Sequence, residues 1–437
     1  MSEGLTFIAT CDLVALTRGR SIRSTEYPER RATGVGWVPA DLALTTFGDI
    51  ASPNPFGSLG DLRLLPVDSA RITLPAGGGR PATELVLADT VEPDGTPWAC
   101  CPRTALVGAV AALETAGIRI VASFEQEFSL AGLAGEPGAA SPFSIEAHRL
   151  AEPFGSELVN RLADAGLEPE TWLPEYGQAQ YEITLKPTDP VTAADRAILV
   201  RALVRDLALA HGLRASFAPL RSPDGIGNGT HIHLSLWDSS GRPITIAPGG
   251  SELTSMAGSF GAGILEHAPA LIAWTAPSVI SSLRLAPHRW SAAAAFVGHQ
   301  NREAMLRLCP LITLAGADPG ASANVEYRAA DATANPWLAL AAILRAGLDG
   351  LVRRLPSPTI VDRELEAIDS SERERLGIGT LPPDMESAHA ALEADATAVA
   401  WFAPDLVATH LAIRRTELAI LAVASAEERC QRYASVI

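Results

Sequence analysis

The chain has 437 residues, enough to bury a hydrophobic core in one large domain or two ordinary ones. It carries 34 Lys and Arg against 50 Asp and Glu, and this formal charge of −16 argues against nucleic acid or an anionic membrane as its main partner. Lys186 is the sole lysine, so the cations are almost all arginine, which favours planar contacts to carboxylates and phosphates.

The cysteine pattern and the apolar segments indicate a compartment. Five cysteines, an odd number without CxxC spacing, predict neither a disulfide framework nor a structural zinc site. The first residues lack a signal-peptide pattern, and the most apolar helix, Leu338 to Leu351, is interrupted by Arg345 and is shorter than the ~20 residues that span a bilayer. We therefore expect a soluble, cytoplasmic protein.

The first part of the chain, residues 1–100, is rich in β-like segments. Short runs from Thr6 to Thr10, Leu62 to Leu65 and Thr83 to Leu87 are separated by Gly, Pro and Asp turns, with little helical periodicity. These features predict a small β-rich domain.

Helical spacing begins after Pro102, over Thr104 to Gly117, and helices then alternate with strands, which predicts a second domain over residues 101–437. We expect loops over Ala131 to Pro142 and Ser222 to Gly229. The C-terminal third is predicted to be helical over Pro336 to Arg354, Asp384 to Phe402 and Pro404 to Ser425. No internal repeat occurs, so a solenoid is excluded.

Two glutamates, Glu125 and Glu127, follow the apolar run Ile118 to Ala122 in a predicted strand. Side chains of a strand alternate between its faces, so both carboxylates point the same way. On a buried face they would repel each other unless a shared proton, an arginine or a metal ion lay between them.

The same pattern recurs in three later segments. Each alternates polar and apolar residues, so that a sheet or open barrel built from them would have one polar face. The polar residues are Glu175 and Glu182 in the first segment, His231, His233 and Ser235 in the second, and Asn324, Glu326 and Arg328 in the third.

Taken singly, these motifs are weak, because E-x-E is more often a solvated face and H-x-H more often a hydrogen-bonded pair. Together, five carboxylates and a histidine form an oxygen-rich ligand set that suits Mg²⁺ or Mn²⁺ and is large enough for two ions. Zinc would usually recruit more Cys or His. Two such ions are typical of phosphoryl transfer.

Phosphates also need cationic donors. Arg284, Arg302 and Arg307 stand among mostly apolar residues, as expected of inward-directed arginines, although exposed arginines would fit the same spacing. No G-x-x-x-x-G-K-[ST] motif occurs, so metal ions and arginine must hold any nucleotide.

In combination, these motifs resemble those of the glutamine synthetase family. They are E-x-E-F at Glu125, E-x6-E from Glu175 to Glu182, G-x-G-x-H-x-H-x-S-L at Gly227, R-L-x-P at Arg284, N-R-x4-R at Asn301 and E-Y-R at Glu326. The resemblance implies an α+β fold: a small N-terminal β-grasp-like domain, then a large catalytic domain with helices and a curved antiparallel sheet, or open barrel.

The resemblance also implies roles for individual residues. One metal ion near the substrate would be held by Glu127, Glu175 and Glu182, and a second, between the ATP phosphates, by Glu125, His231 and Glu326. The nucleotide would contact His233, Ser235, Arg302 and Arg307, and the amino-acid substrate would contact Gly227, His231, Arg284 and Arg328. Catalysis would depend on Arg284, Arg302 and Arg328.

One departure from the family pattern suggests the nucleophile. In a glutamine synthetase, the loop after R-L-x-P bears a glutamate that takes a proton from ammonium, whereas here the loop from His288 to Ala295 has no acid and contains Trp290. Ile226 replaces a glutamate-binding asparagine, and Asn324 stands where an ATP-binding arginine is common. An apolar pocket suits an alkyl or aryl amine better than ammonium.

We therefore expect an ATP-dependent ligase that joins glutamate to a primary amine through γ-glutamyl phosphate, with two Mg²⁺ or Mn²⁺ ions per site. The alternatives are ordinary glutamine synthesis from ammonia and, in a different class, an inactive nucleotide-binding regulator. The resemblance implies a homo-oligomer of hexameric rings, commonly stacked as dodecamers, with active sites between subunits. The expected partners are small molecules, without nucleic acid or membrane.

Overall fold

A computed structural model of the chain describes residues 4–134, 140–250 and 252–437. The middle of the predicted loop from Ala131 to Pro142, residues 135–139, lies outside the described residues. The strands are β1 Leu5–Cys11, β2 Thr17–Arg23, β3 Val35–Trp37, β4 Leu62–Leu74, β5 Thr83–Val91, β6 Ile118–Ala131, β7 Pro169–Pro174, β8 Gln180–Leu185, β9 Arg214–Ser216, β10 Thr230–Asp238, β11 Ala294–His299, β12 Ala304–Leu308, β13 Val325–Tyr327 and β14 Ile360–Val361.

Helices cover much of the second part of the chain. They are α1 Tyr27–Thr33, α2 Pro102–Thr115, α3 Ile145–Leu150, α4 Phe154–Asp164, α5 Pro190–Ala210, α6 Ser255–Glu266, α7 Ala268–Thr275, α8 Ser281–Arg284, α9 Pro319–Ser322, α10 Pro336–Arg353, α11 Ser370–Arg375, α12 Met385–Ala394, α13 Ala396–Val399, α14 Pro404–Ile420 and α15 Ala426–Ala434. Among the described residues, no helix has both the length and the apolar character needed to cross a membrane.

The N-terminal strands form a five-stranded sheet in the order β2-β1-β5-β4-β3. The central pair β1 and β5 is parallel and its neighbours are antiparallel, which gives the predicted β-grasp-like arrangement. The edge strand β2 carries three arginines, which discourage pairing with another sheet edge. The short helix α1 was not predicted. Its seven residues bury a single side chain, that of Tyr27, so the sequence shows no repeated hydrophobic spacing there.

A second sheet of nine strands supports the polar residues. Its order is β14-β11-β12-β13-β10-β6-β8-β7, with β9 paired to β6, and it curves into a nearly closed open barrel as expected. Most pairs are antiparallel, but β11 runs parallel to both β12 and β14. One hydrophobic cluster joins residues of both sheets, such as Ala9 of β1 and Phe128 of β6, so the division at residue 100 stays a proposal.

The predicted continuous helix from Asp384 to Phe402 is wrong. Helix α12 ends at Ala394, and Asp395 follows in an extended conformation. Its side chain accepts hydrogen bonds from the backbone amides of Thr397 and Ala398 and so caps the short helix α13. Aspartate favours such N-cap positions over helix interiors, and this preference explains the break.

Candidate active site

Strand register brings the predicted metal-binding residues together. On β6, Glu125 lies opposite His231 of β10, and Glu127 lies opposite Glu182 of β8. Glu326 of β13 lies opposite His233. Directly opposed residues of antiparallel strands share a face, so the alternation seen in the sequence places these side chains on one wall of the barrel.

The first cluster consists of Glu125, His231 and Glu326, whose possible ligand atoms all lie within 4.8 Å of one another. His231 Nδ1 is 2.7 Å from Glu125 Oε1 and 3.5 Å from Glu326 Oε1. Burial would raise the pKa of Glu125, but hydrogen bonds from His231 and His233 hold it well below its usual value. Burial would likewise raise the pKa of Glu326, and the charge of Arg328 leads the effects that lower it to about 2.

The second cluster consists of Glu125, Glu127 and Glu182, also within 4.8 Å. Burial, followed by the charges of Glu125 and Glu127, raises the pKa of Glu182 to about 11. Burial and the charge of Glu127 raise the pKa of Glu175 to about 7. The carboxylates therefore resist ionising together, and a divalent cation would relieve their repulsion.

The described residues fit two hard divalent cations, because carboxylate oxygens and one imidazole dominate both clusters. Of the three residues predicted to hold the substrate-side ion, Glu127 and Glu182 lie together in the second cluster. The third, Glu175, lies outside that cluster but lines the same cavity as the other two. Glu125 adjoins both groups.

Two buried arginines flank these clusters. Arg284 Nη2 is 3.3 Å from His231 Nε2 and donates to the carbonyl of Arg328, but its buried Nη1 has no hydrogen-bond partner among the described residues. Arg328 contacts the Glu326 carboxylate and donates to the carbonyls of Arg302 and Trp290 at 2.9 and 2.8 Å. Arg284 therefore retains a free donor, whereas Arg328 is occupied in holding the site.

The arginines predicted to contact phosphate occupy different positions. Arg307 Nη1 donates to Glu326 Oε2 at 2.8 Å and is half-buried. Arg302 is exposed and borders the same cavity as Glu175 and Trp290. Of these two arginines, it is therefore Arg307 that lies inward, beside the first cluster of candidate metal ligands.

Two cavities meet at Glu125. A central cavity of about 490 Å³ is lined by the second cluster together with Gly227, Arg284 and Trp290. A smaller cavity of about 310 Å³ is lined by Glu125, His233, Ser235 and Asn324. In the smaller one, Asn324 Oδ1 lies 2.9 Å from His233 Nδ1 and fixes that ring. Two reactants could thus meet from opposite sides of one carboxylate.

Comparison with known families agrees with this geometry. Residues 99–433 match the family described as glutamine synthetase, catalytic domain, and residues 3–98 match the glutamine synthetase N-terminal domain. The chain belongs to the glutamine synthetase family. It is therefore an ATP-dependent ligase, and enzymes of this family use ATP and divalent metal ions.

Relatives within the glutamine synthetase family carry two kinds of name. The chain is 34% identical to a γ-glutamylpolyamine synthetase of Streptomyces coelicolor over 94% of this chain and 88% of that protein. It is also 34% identical to a glutamine synthetase of Thermococcus kodakarensis, over 69% of this chain and 67% of that protein.

Solved structures confirm the glutamine synthetase fold. One, described as a novel glutamine synthase homolog, has a TM-score of 0.92 and 43% identity and covers 100% of this chain and 99% of that one. Another, GmaS in complex with ADP, has a TM-score of 0.81 and 26% identity and covers 96% of this chain and 94% of that one.

Steric crowding explains why the second position of the G-x-G motif, Gly229, is a glycine in this chain. A Cβ atom on Gly229 would lie 2.5 Å from Arg284 Nη2 and 2.7 Å from His231 Nε2. The Gly229 amide donates to Glu127 Oε2 at 2.9 Å, and Gln180 Nε2 contacts the same oxygen at 3.1 Å. Glycine therefore lets the backbone approach and orient a candidate metal ligand.

Sequence reasoning gave no role to several residues around the central cavity, among them Gln180, Tyr176, Asp224 and Arg289. Gln180 belongs to the Q-Y-E segment that ends at Glu182 but was given no role, and Tyr176, next to Glu175, lies in no recognised motif. Asp224 lies in the predicted loop from Ser222 to Gly229, which the structure confirms as irregular, and it borders the cavity. Arg289 donates to the carbonyls of Gly225 and Pro223 at 3.0 and 2.8 Å and so ties the acid-free loop to that segment.

Adding Mg²⁺ to metal-free protein should raise its melting temperature. A ligand at 100 times its dissociation constant adds roughly 2.7 kcal/mol of stability, which amounts to a rise in Tm of a few degrees. Glu182→Gln should leave the metal-free Tm nearly unchanged, because glutamine resembles the protonated acid, but should reduce the Mg²⁺-induced rise. Calorimetry of both proteins measures this, with Glu114→Gln at an exposed helix end as the control. Equal rises in all three proteins would contradict the assignment of Glu182.

Proposed function

We propose that this glutamine synthetase family ligase joins the γ-carboxylate of glutamate to a primary amine. The observation that supports it best is the wall of the central cavity at residues 288–295, where the loop has no acid and Trp290 borders the space. The name of the Streptomyces relative, a γ-glutamylpolyamine synthetase, supports the same choice of nucleophile.

The reaction has two steps. The γ-carboxylate of glutamate attacks the terminal phosphorus of ATP and releases ADP, and the amine nitrogen then attacks the acyl carbon of γ-glutamyl phosphate and releases phosphate. The attacking nitrogen must lose a proton, which the carboxylate of Asp224 at the cavity could accept. When bound, the two divalent ions would neutralise phosphate oxygens.

The proposed residue roles follow from where each side chain lies. Arg284 would bind a glutamate carboxylate through its free Nη1, and Arg328 would hold Glu326 and the Trp290 backbone in place. Arg307, beside Glu326, would face the ATP phosphates, whereas Arg302 is placed to act at the central cavity. His233 and Ser235, in the smaller cavity, would lie along the nucleotide.

Aromatic side chains at the mouth of the central cavity suit an organic ammonium. Trp290 and Tyr176 are 58% and 51% exposed, and their ring centroids lie 5.8 Å apart. Outside the lining of this cavity, Phe143, 53% exposed, lies 6.4 Å from Tyr176. An alkylammonium would gain apolar contact and cation–π attraction from these rings, whereas ammonium would gain little apolar contact.

Ordinary glutamine synthesis is the second candidate. Asp224 and Glu175 border the cavity and could bind ammonium in place of the missing loop glutamate. The resemblance to the Thermococcus glutamine synthetase favours the same reading. An inactive regulator is disfavoured, because all six candidate metal ligands are present and five of them gather in two clusters.

Organic amines should be better substrates than ammonia. Each buried methylene contributes ~0.8 kcal/mol, so each one that contacts the rings should raise kcat/KM by about fourfold. Phosphate release, with mass spectrometry of the product, should be compared for ammonia, ethylamine, ethanolamine, a diamine and an arylamine at saturating glutamate and ATP.

The Trp290→Ala variant should lose about tenfold in kcat/KM for its best amine, from the loss of one ring contact of ~1.4 kcal/mol. The same variant should change ammonia use by less than twofold, and Trp290→Phe should retain most of the amine activity. A higher kcat/KM for ammonia than for every amine would instead identify a glutamine synthetase.

We also propose that the protein forms hexameric rings, single or stacked in pairs, with active sites between subunits. Enzymes of this family are commonly oligomeric. Ile50 and Leu59, exposed by 55% and 86% in the N-terminal part, are apolar side chains that a neighbouring subunit could cover. Light scattering across a dilution series should show a large closed assembly whose activity falls on dissociation. A fully active monomer would contradict this arrangement.

A cytoplasmic location without nucleic-acid or membrane partners completes the proposal. All five cysteines are buried and unpaired, which suits a reducing compartment.

A further inference from the structure

A cavity of about 790 Å³ has no part in the proposed ligase chemistry. It lies beside the central cavity, between the ends of β6, α5 and β9 on one side and helix α15 on the other. Three arginines line it, Arg205, Arg214 and Arg221, against a single carboxylate, that of Glu427. The formal charge of its lining is therefore positive in a protein whose net charge is −16.

Arg205 is the most enclosed of the three arginines. Its guanidinium lies 5.4 Å from the ring centroid of Phe217, and within the described part of the chain no group forms a hydrogen bond or an ion pair with it. Burial lowers the pKa of Arg205 to about 10. Arg205 is half-buried, and a cation that is partly removed from water is costly unless an anion or acceptor compensates it. The cavity therefore presents a charge that no described residue compensates.

The other two guanidiniums are also mostly free. Arg214 donates to the backbone carbonyl of Ser435 at 3.4 Å, and Arg221 is exposed without a partner in the described ranges. Each guanidinium carries five N–H donors in a planar fork that matches carboxylate and phosphate. Neutral hydrogen-bonding groups complete the lining, among them Ser129, Ser216 and Gln431.

We propose that this cavity binds a small polyanion carrying two or more carboxylate or phosphate groups. Such a ligand would neutralise Arg205 and engage the donors of Arg214 and Arg221 together. Gln180 borders both this cavity and the central one and contacts Glu127 Oε2 at 3.1 Å, so the ligand would lie one side chain away from a candidate metal ligand. The proposal does not depend on which amine the enzyme uses.

Isothermal titration of the metal-free full-length protein with citrate and with pyrophosphate, at constant ionic strength, tests this site. One equivalent of at least one ligand should bind, and Arg205→Gln should weaken that binding by at least tenfold. Binding of citrate alone would assign carboxylates, and binding of pyrophosphate alone would assign phosphates. Arg302→Gln, which alters the central cavity, should leave the affinity within twofold and so separates this site from the active site.

Two controls complete the experiment. Arg119→Gln makes the same charge change at an exposed arginine that lines neither cavity, and should bind like the wild type. Circular dichroism establishes that Arg205→Gln is folded, and Arg221→Gln, at an exposed position, should also weaken binding. The proposal is overturned if the wild type binds neither ligand, or if both cavity variants retain its affinity.

Discussion

Replacing Glu326 by glutamine should reduce ATP turnover at least 100-fold while the protein stays folded. Glu326 is buried, adjoins His231, and neutralises two arginines, Arg328 and Arg307. Glutamine retains an acceptor oxygen for these arginines but lacks the charge that a divalent ion requires, and even changes in residues that only orient ligands typically cost 10–100-fold. Phosphate release with saturating glutamate and amine measures the loss.

Glu326→Ala is a harsher change at the same position. It would leave two guanidiniums unpaired in or near the core, and breaking such a buried pair typically costs about 3–5 kcal/mol. We therefore expect the alanine variant to be both inactive and less stable, whereas the glutamine variant, which keeps one of the two acceptor oxygens, should lose less stability. Full turnover by Glu326→Gln would remove this residue from the metal site.

Replacing Arg284 by glutamine should raise the KM for glutamate about 100-fold, since truncating one partner of a buried charged pair costs about 2–5 kcal/mol. Its Nη1 is buried without a partner among the described residues, in a side chain that borders the central cavity. Initial rates across a glutamate series measure the change. The KM for ATP should stay within twofold, because the proposed nucleotide cavity does not include Arg284.

Arg284→Lys separates charge from geometry at this position. Lysine restores the cation but not the planar fork, so its KM for glutamate should fall between those of the wild type and the glutamine variant. An unchanged KM for glutamate in Arg284→Gln would show that the substrate carboxylate binds elsewhere.

Period-two alternation was sufficient to predict most of the candidate site. Glu125, Glu127, Glu182, His231 and Glu326 were expected on one polar face, and the register of four strands places them there. Alternation fixes the face of a side chain but not the position of a residue beyond the end of a strand. Glu175 precedes β8, and for that reason its separation from the cluster could not be predicted.

Of the aromatic residues near the mouth of the cavity, Trp290 was singled out from the sequence but neither Tyr176 nor Phe143 was. Phe143, Tyr176 and Trp290 are far apart along the chain, and their proximity depends on irregular segments. Phe143 and Trp290 adopt left-handed backbone conformations, with φ of 58° and 50°, which are uncommon for such bulky residues. Local propensity argues against these conformations, so only the tertiary structure reveals them.

The contact of Arg289 with the segment around Gly225 has a consequence for attempts to change the nucleophile. The Arg289 side chain joins the acid-free loop to the segment that bears Asp224. Replacing only one of these two segments with that of a relative would therefore remove the hydrogen bonds between them. Selectivity for the nucleophile therefore depends on two loops that contact each other. A successful exchange of substrate range would have to transplant both loops as one unit.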